Sequence, residues 1–145
     1  MKTRQLRAVL FCLFLAFALP AVAHHSLSAE YDSGKLLDLT GTITRVEWVN
    51  PHAWVEIDGK DPADGRTQHW KLEMASITCL VKHGISKETM TLGSTITVHD
   101  SWRAKDGSFH TPVFTMIYGN RSYRVQRSPS DPQVDLTEPD YWCAP

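Results

Sequence analysis

The 145-residue chain sets 15 Lys and Arg against 16 Asp and Glu, a formal net charge of −1, with 42% hydrophobic residues. That length suits one small domain with a single core. The charge balance argues against a nucleic-acid binder, because neutralising phosphates needs a basic face.

Lys2, Arg4 and Arg7 precede an apolar run from Val9 to Leu19, which Pro20 breaks before Ala21-Val22-Ala23. A basic start, a short apolar stretch and a small-x-small site make residues 1–23 a cleavable secretory signal. The run is too short to span a membrane. The expected product is periplasmic or secreted, begins at His24 and is mildly acidic, since the signal removes three basic residues and no acid. Of the three cysteines, Cys12 leaves with the signal and Cys79 and Cys143 remain. In an oxidising compartment these two can pair, worth ~4 kcal/mol on a chain-entropy argument. The alternative is a buried Cys79 and a loose Cys143.

Residues 24–35 are polar and read as an arm. Leu36 to Trp48 is the first strand, with Leu39, Gly41 and Ile43 on one face and Thr40, Thr42 and Thr44 on the other. The apolar parity changes at Val46 and Trp48, which implies a bulge at Thr44-Arg45. Asn50-Pro51 forms a corner. Ala53 to Asp58 is the second strand, followed by a turn-rich loop from Gly59 to Gly65. The third strand runs from Thr67 to Met74, with Trp70, Leu72 and Met74 inward. Ser76 reads as the N-cap of a short helix bearing Ile77, Leu80 and Val81, and Gly84 stands where a C′ glycine belongs. Thr95 to Trp102 is the fourth strand and Thr111 to Tyr118 the fifth, with Ser122 to Val125 extending the last strand. Prolines 129, 132, 139 and 145 then break every period, so residues 128–145 form a tail.

This order predicts an all-β domain over residues 36–127: a small five-stranded Greek-key barrel of the OB-fold type, with one short helix between strands three and four. A simple β-sandwich is the other architecture that fits.

His24-His25-Ser26, Ala29-Glu30-Tyr31-Asp32, Leu39 to His52 with its Glu47-Trp48-Val49-Asn50-Pro51-His52 piece, and Lys105-Asp106-Gly107-Ser108 carry a family resemblance. Over roughly His24 to Tyr123 the chain resembles a family of small exported bacterial proteins, catalogued as domain of unknown function 6152. The resemblance implies a bacterial, exported, barrel-like domain. It transfers no catalytic residue.

Seven histidines invite a metal reading. A mature N-terminus at His24 offers an α-amine and an imidazole to one ion, with His25 beside it and His52 as a further nitrogen. Such ligation suits copper(II) or nickel(II). The plainer reading is a solvated linker. His69 and His99 fall on outward faces, His83 suits a helix C-terminus, and His110 reads as a surface residue. Glu47, Glu56 and Glu73 can cluster on adjacent strands, or pair with Arg45 and Lys71 on a wet face. Trp48 and Trp70 read as core. Trp54 has the opposite parity: it either forms a ligand patch with Glu47, Asn50, His52 and Glu56, or covers a second side of a bent wall.

The expected role is therefore an exported binding or accessory module for a small ligand, a metal (copper above all) or an envelope protein. A metal-dependent enzyme and a structural partner are the alternatives, and the residues favour a non-enzymatic role. The chelate is testable by calorimetry on correctly processed protein. Copper(II) binding should tighten from about pH 6 to 8, as the α-amine, with a pKa of about 7.7–8, gives up its proton. One alanine added before His24 should weaken binding sharply, and His110→Ala should leave it unchanged. Equal uptake with and without the added alanine would exclude the chelate.

Overall fold

The structure, a computed structural model, describes residues 27–126. A four-residue helix, α1 (Leu27–Glu30), leads into a 17-residue strand, β1 (Tyr31–Glu47). From Leu37 to Ile43 every second side chain is buried, and the intervening Asp38, Thr40 and Thr42 are exposed. This is the period of a half-buried strand. The register with β2 (Trp54–Lys60) jumps between Ile43 and Arg45, so the expected bulge is present.

The strand starts five residues earlier than its polar sequence suggests. Tyr31, expected in the arm, is 1% exposed, pairs with Ala104 and joins Trp102 and Phe114 in a small second core. Burial of one aromatic ring recruits Asp32 to Lys35 into the strand, at the cost of a register irregularity between Asp32 and Leu36.

β2 forms an antiparallel hairpin with β3 (Thr67–Glu73). Gly41 and Gly59 face each other across β1 and β2, and a Cβ on Gly41 would lie 2.7 Å from the Asp58 carbonyl oxygen. The hairpin loop is fixed by Asp61, which is buried and ion-paired with Arg103. That guanidinium holds the Asp61 carboxyl below the usual range and lies over the Trp70 ring.

The helix α2 (Ile77–Lys82) follows, with the Ser76 hydroxyl accepting from the Cys79 N–H as expected of an N-cap. At its end the Ile85 N–H bonds to the Leu80 carbonyl and the Gly84 N–H to the Val81 carbonyl, a Schellman pair. Gly84 supplies the positive φ of 76° that this requires. Cys79 is buried and disulfide-bonded. Its expected partner, Cys143, lies outside the described residues, as does the tail.

β4 (Thr95–Ala104) returns antiparallel to β1. The expected fifth strand is then two: β5 (His110–Pro112), parallel to β3, and β6 (Thr115–Tyr118), antiparallel to β4. Pro112 has no N–H to continue a ladder. The next N–H, of Val113, goes to the Glu73 carbonyl, and Phe114 turns into the second core. β7 (Arg121–Arg124) completes the order β5-β3-β2-β1-β4-β6-β7. Over the described residues the fold is therefore all-β, but as a seven-stranded mixed sheet with two short helices rather than a closed five-stranded barrel. The helix between β3 and β4 is where the sequence places it. No helix among the described residues is long and apolar enough to cross a membrane.

The main core lies inside the curved sheet around Leu39, Ile57, Trp70, Leu72, Ile96 and Val98. Trp70 is 1% exposed. Trp48 is a correction: it lies past the bulge, is only half-buried and packs against the core rather than within it. The close glycine pair gives the fold's sharpest test. Gly41→Ala should destabilise by about 1–3 kcal/mol, because the new methyl meets the buried Ile57 side chain and, closer still, the Asp58 backbone, which cannot swing away. Thermal unfolding of this variant at the wild-type midpoint would mean that β1 and β2 do not approach so closely.

Candidate functional site

The outward face of β2 and β3 carries the polar and aromatic groups that the sequence singles out. Alternation along β2 sends Trp54, Glu56 and Asp58 outward, and along β3 it sends His69 and Lys71 to the same side. Lys71 Nζ stands 4.5 Å from the centre of the Trp54 ring and 3.9 Å from Glu47. Arg45 reaches both Glu47, at 2.6 Å, and Glu56, at 3.5 Å. His69 lies between Asp58 (2.8 Å) and Glu56 (3.2 Å). Asp58 first and Glu56 second hold its imidazole above the usual range. These pairs are exposed and individually contribute little stability. Their effect is to fix side-chain directions around the indole.

Beside this face an open groove of about 570 Å³ is lined by Trp54, His69 and Lys71 on one side and by Glu30, Phe109 and His110 on the other. The second wall comes from α1 and from the turn between β4 and β5. In that turn Ser108 donates its N–H to Asp106 Oδ1 and Gly107 takes a φ of 80°. The spacing of Asp106, Ser108 and His110 puts all three on one side of the chain. Ser108 Oγ lies 2.6 Å from His110 Nδ1, and His110 Nε2 lies 2.8 Å from Glu30 Oε1.

Serine, histidine and carboxylate in a line resemble a nucleophilic triad, but the surroundings differ. The Ser108 hydroxyl is 2.6 Å from Asp106, its N–H is bound to the same carboxylate, and the Gly107 N–H donates to the Ala104 carbonyl. The two backbone donors at the serine are thus already engaged and form no oxyanion hole. The line positions a wall.

Behind the groove, Glu73 is 8% exposed. Its Oε2 accepts from the Tyr31 hydroxyl at 2.7 Å, and its Oε1 lies 3.7 Å from His52 Nδ1, which itself donates to the Met74 carbonyl at 3.1 Å. The Tyr31 ring meets His110 edge-on, 5.0 Å between centres. Burial, and then the bond to Glu73, push the Tyr31 phenol far above its ordinary range. It therefore acts as a fixed donor.

Of the expected ligand residues, Trp54, Glu47 and Glu56 meet on one face, with Trp54 half-buried beneath Lys71. His52 lies apart, against Glu73, and Asn50 is exposed at the corner, outside the groove lining. Of the expected metal ligands, His24 and His25 lie outside the described residues. Among the described residues no group of three or more His, Cys, Asp or Glu side chains is placed to hold a metal. His110, expected on the surface, is partly exposed in the groove wall and bonded at both ring nitrogens. Glu30, Tyr31 and Ser108 were not expected at a site at all. The readable signal was the alternate spacing of Asp106, Ser108 and His110. Nothing local points from there to Glu30, 80 residues away.

The bond between Tyr31 and Glu73 is testable. Tyr31→Phe keeps the ring but strands Glu73 Oε2, and should destabilise by about 1–3 kcal/mol. Denaturant unfolding of Tyr31→Phe, Glu73→Gln and the double variant should show coupling. Simple additivity would mean that the two groups do not act together.

Residues 13–112 match the model of a family of unknown function (DUF6152), well over half of the chain. No curated protein and no solved structure matches it.

Proposed function

Because the chain belongs to this family, whose description assigns no activity, we propose a role from the geometry: an exported binding module that seats a flat, largely apolar ligand in the groove between Trp54 and Phe109. The observation that carries this reading is the half-buried Trp54 indole, held by Lys71 in the wall of an open groove. Aromatic surface with a few directed polar groups is the usual make-up of a small-ligand site. The segment 1–23, read as a signal peptide, supports export to the periplasm or beyond.

The connectivity adds to this. We read the sheet as an elaborated Greek-key barrel of the OB type. β5 and β6 are one segment broken at Val113-Phe114, so a single stretch serves the β3 flank and the β4 flank. In OB-folds the face of strands two and three is the customary ligand surface. Here that face carries Trp54, His69 and Lys71.

N-phenyl-1-naphthylamine, a flat uncharged fluorophore, provides the test. It should bind saturably with enhanced emission, and Trp54→Ala should weaken it about five- to tenfold, the ~1 kcal/mol of a lost aromatic contact. Asn50→Ala, outside the groove, should leave it unchanged. Absence of saturable binding, or equal affinity in Trp54→Ala, would overturn the groove as the site.

A further inference from the structure

The line of side chains in the groove wall has a proton count that can be read from its geometry. Ser108 Oγ is 2.6 Å from Asp106 Oδ1 and 2.6 Å from His110 Nδ1, and His110 Nε2 is 2.8 Å from Glu30 Oε1. A carboxylate only accepts, and a serine hydroxyl has one hydrogen to give. Ser108 therefore donates to Asp106, and Nδ1 must bring a hydrogen of its own to Oγ. Nε2 must bring another to Glu30. All three bonds exist together only when the ring is an imidazolium. A neutral ring supports two of the three.

We propose that Asp106, Ser108, His110 and Glu30 form a proton-operated latch in the groove wall, closed while His110 is protonated and released when the proton leaves. The latch spans a joint between separate parts of the chain. Glu30 ends α1, whereas Asp106 and Ser108 belong to the turn between β4 and β5. Lys105 adds two bonds across the joint: its N–H donates to the Glu30 carbonyl at 3.0 Å and its Nζ to the Ser28 carbonyl at 2.6 Å. Because Glu30, Ser108 and His110 all line the groove, releasing one bond loosens one wall while the Trp54 side stays fixed to the sheet.

The charged and titratable groups around the ring come from each neighbouring element. Glu30 approaches from α1, and Asp106 and Lys105 from the turn. Tyr31 of β1 meets it edge-on, with its hydroxyl tied to Glu73 of β3. Lys71, also of β3, is opposite His110 in the parallel pairing, and His69 lies two residues before it. Two carboxylates are thus in the bonded line, and Asp106 is suited to accept. The Ser108 hydroxyl, then the Ser108 N–H, keep its carboxyl below the ordinary range.

The latch rests on the groove reading only for its effect on a ligand, so the two can fail separately. Imidazole nitrogen shifts of labelled protein, followed over the pH 5–8 range in which histidines change charge, read the latch directly. In Asp106→Asn the amide can turn its NH2 to Ser108 Oγ, giving up the bond from the Ser108 N–H to Oδ1 and freeing the hydroxyl hydrogen for Nδ1, so a neutral ring keeps all three side-chain bonds of the line. The His110 midpoint should therefore move to lower pH in Asp106→Asn. Protection of the Lys105 amide, corrected for intrinsic exchange, should fall with rising pH in the native chain and stay level in the variant. An unchanged midpoint would overturn the latch. Affinity for N-phenyl-1-naphthylamine should change about threefold or more between pH 6 and 8 in the native protein and less in Asp106→Asn. Binding that ignores pH despite a shifted midpoint would overturn control of the groove. A shifted midpoint with no binding at all would leave the latch standing and remove the ligand.

Discussion

A carboxylate at the end of β3 has to be satisfied almost out of reach of water, and much of the molecule is arranged around that need. An unpaired charge at such depth would cost several kcal/mol. Glu73 meets the Tyr31 hydroxyl on one oxygen and approaches His52 with the other. Its backbone carbonyl takes the Val113 N–H and the Gln126 side-chain amide. One residue thus ties the start of β1, the corner before β2, the break between β5 and β6, and the end of the described chain.

This constraint explains why the groove stands where it does. Tyr31 can reach Glu73 only if β1 begins early and α1 is drawn against the β4–β5 turn. That draws Glu30 to His110 and raises the second wall opposite Trp54. Three of the stretches on which the family resemblance rests, around Glu30-Tyr31, Glu47 to His52, and Lys105 to Ser108, contribute to this region. In the sequence they lie far apart.

Much of the scaffold was legible because its causes are local. The Leu39–Ile43 alternation, the parity slip at Thr44, the Ser76 cap and the Gly84 stop each follow from a few neighbouring residues. The cluster of Glu47, Trp54 and Glu56 was legible too, since strand parity alone puts them outward. What was hidden depends on contacts across the chain. Tyr31 and Glu73 are 42 residues apart, and Glu30 and His110 are 80. A tyrosine in a polar arm carries no mark of burial. The stretch from Thr111 to Tyr118 reads as one strand because its two halves have the same apolar character. Only the missing N–H of Pro112 and the pull of Phe114 into the second core divide it.

The division of that stretch bears on how the chain reaches its fold. β5 supplies a neighbour for β3 and, after a break of two residues, β6 supplies one for β4, so both flanks of the sheet wait for the same late segment. Until residues 110–118 arrive, the β1–β2–β3 meander and β4 can pair, but each keeps one open edge. Contacts of such long sequence separation raise the relative contact order and slow the search. A chain halted before His110 would expose two unpaired strands at once, the condition under which edges seek foreign partners.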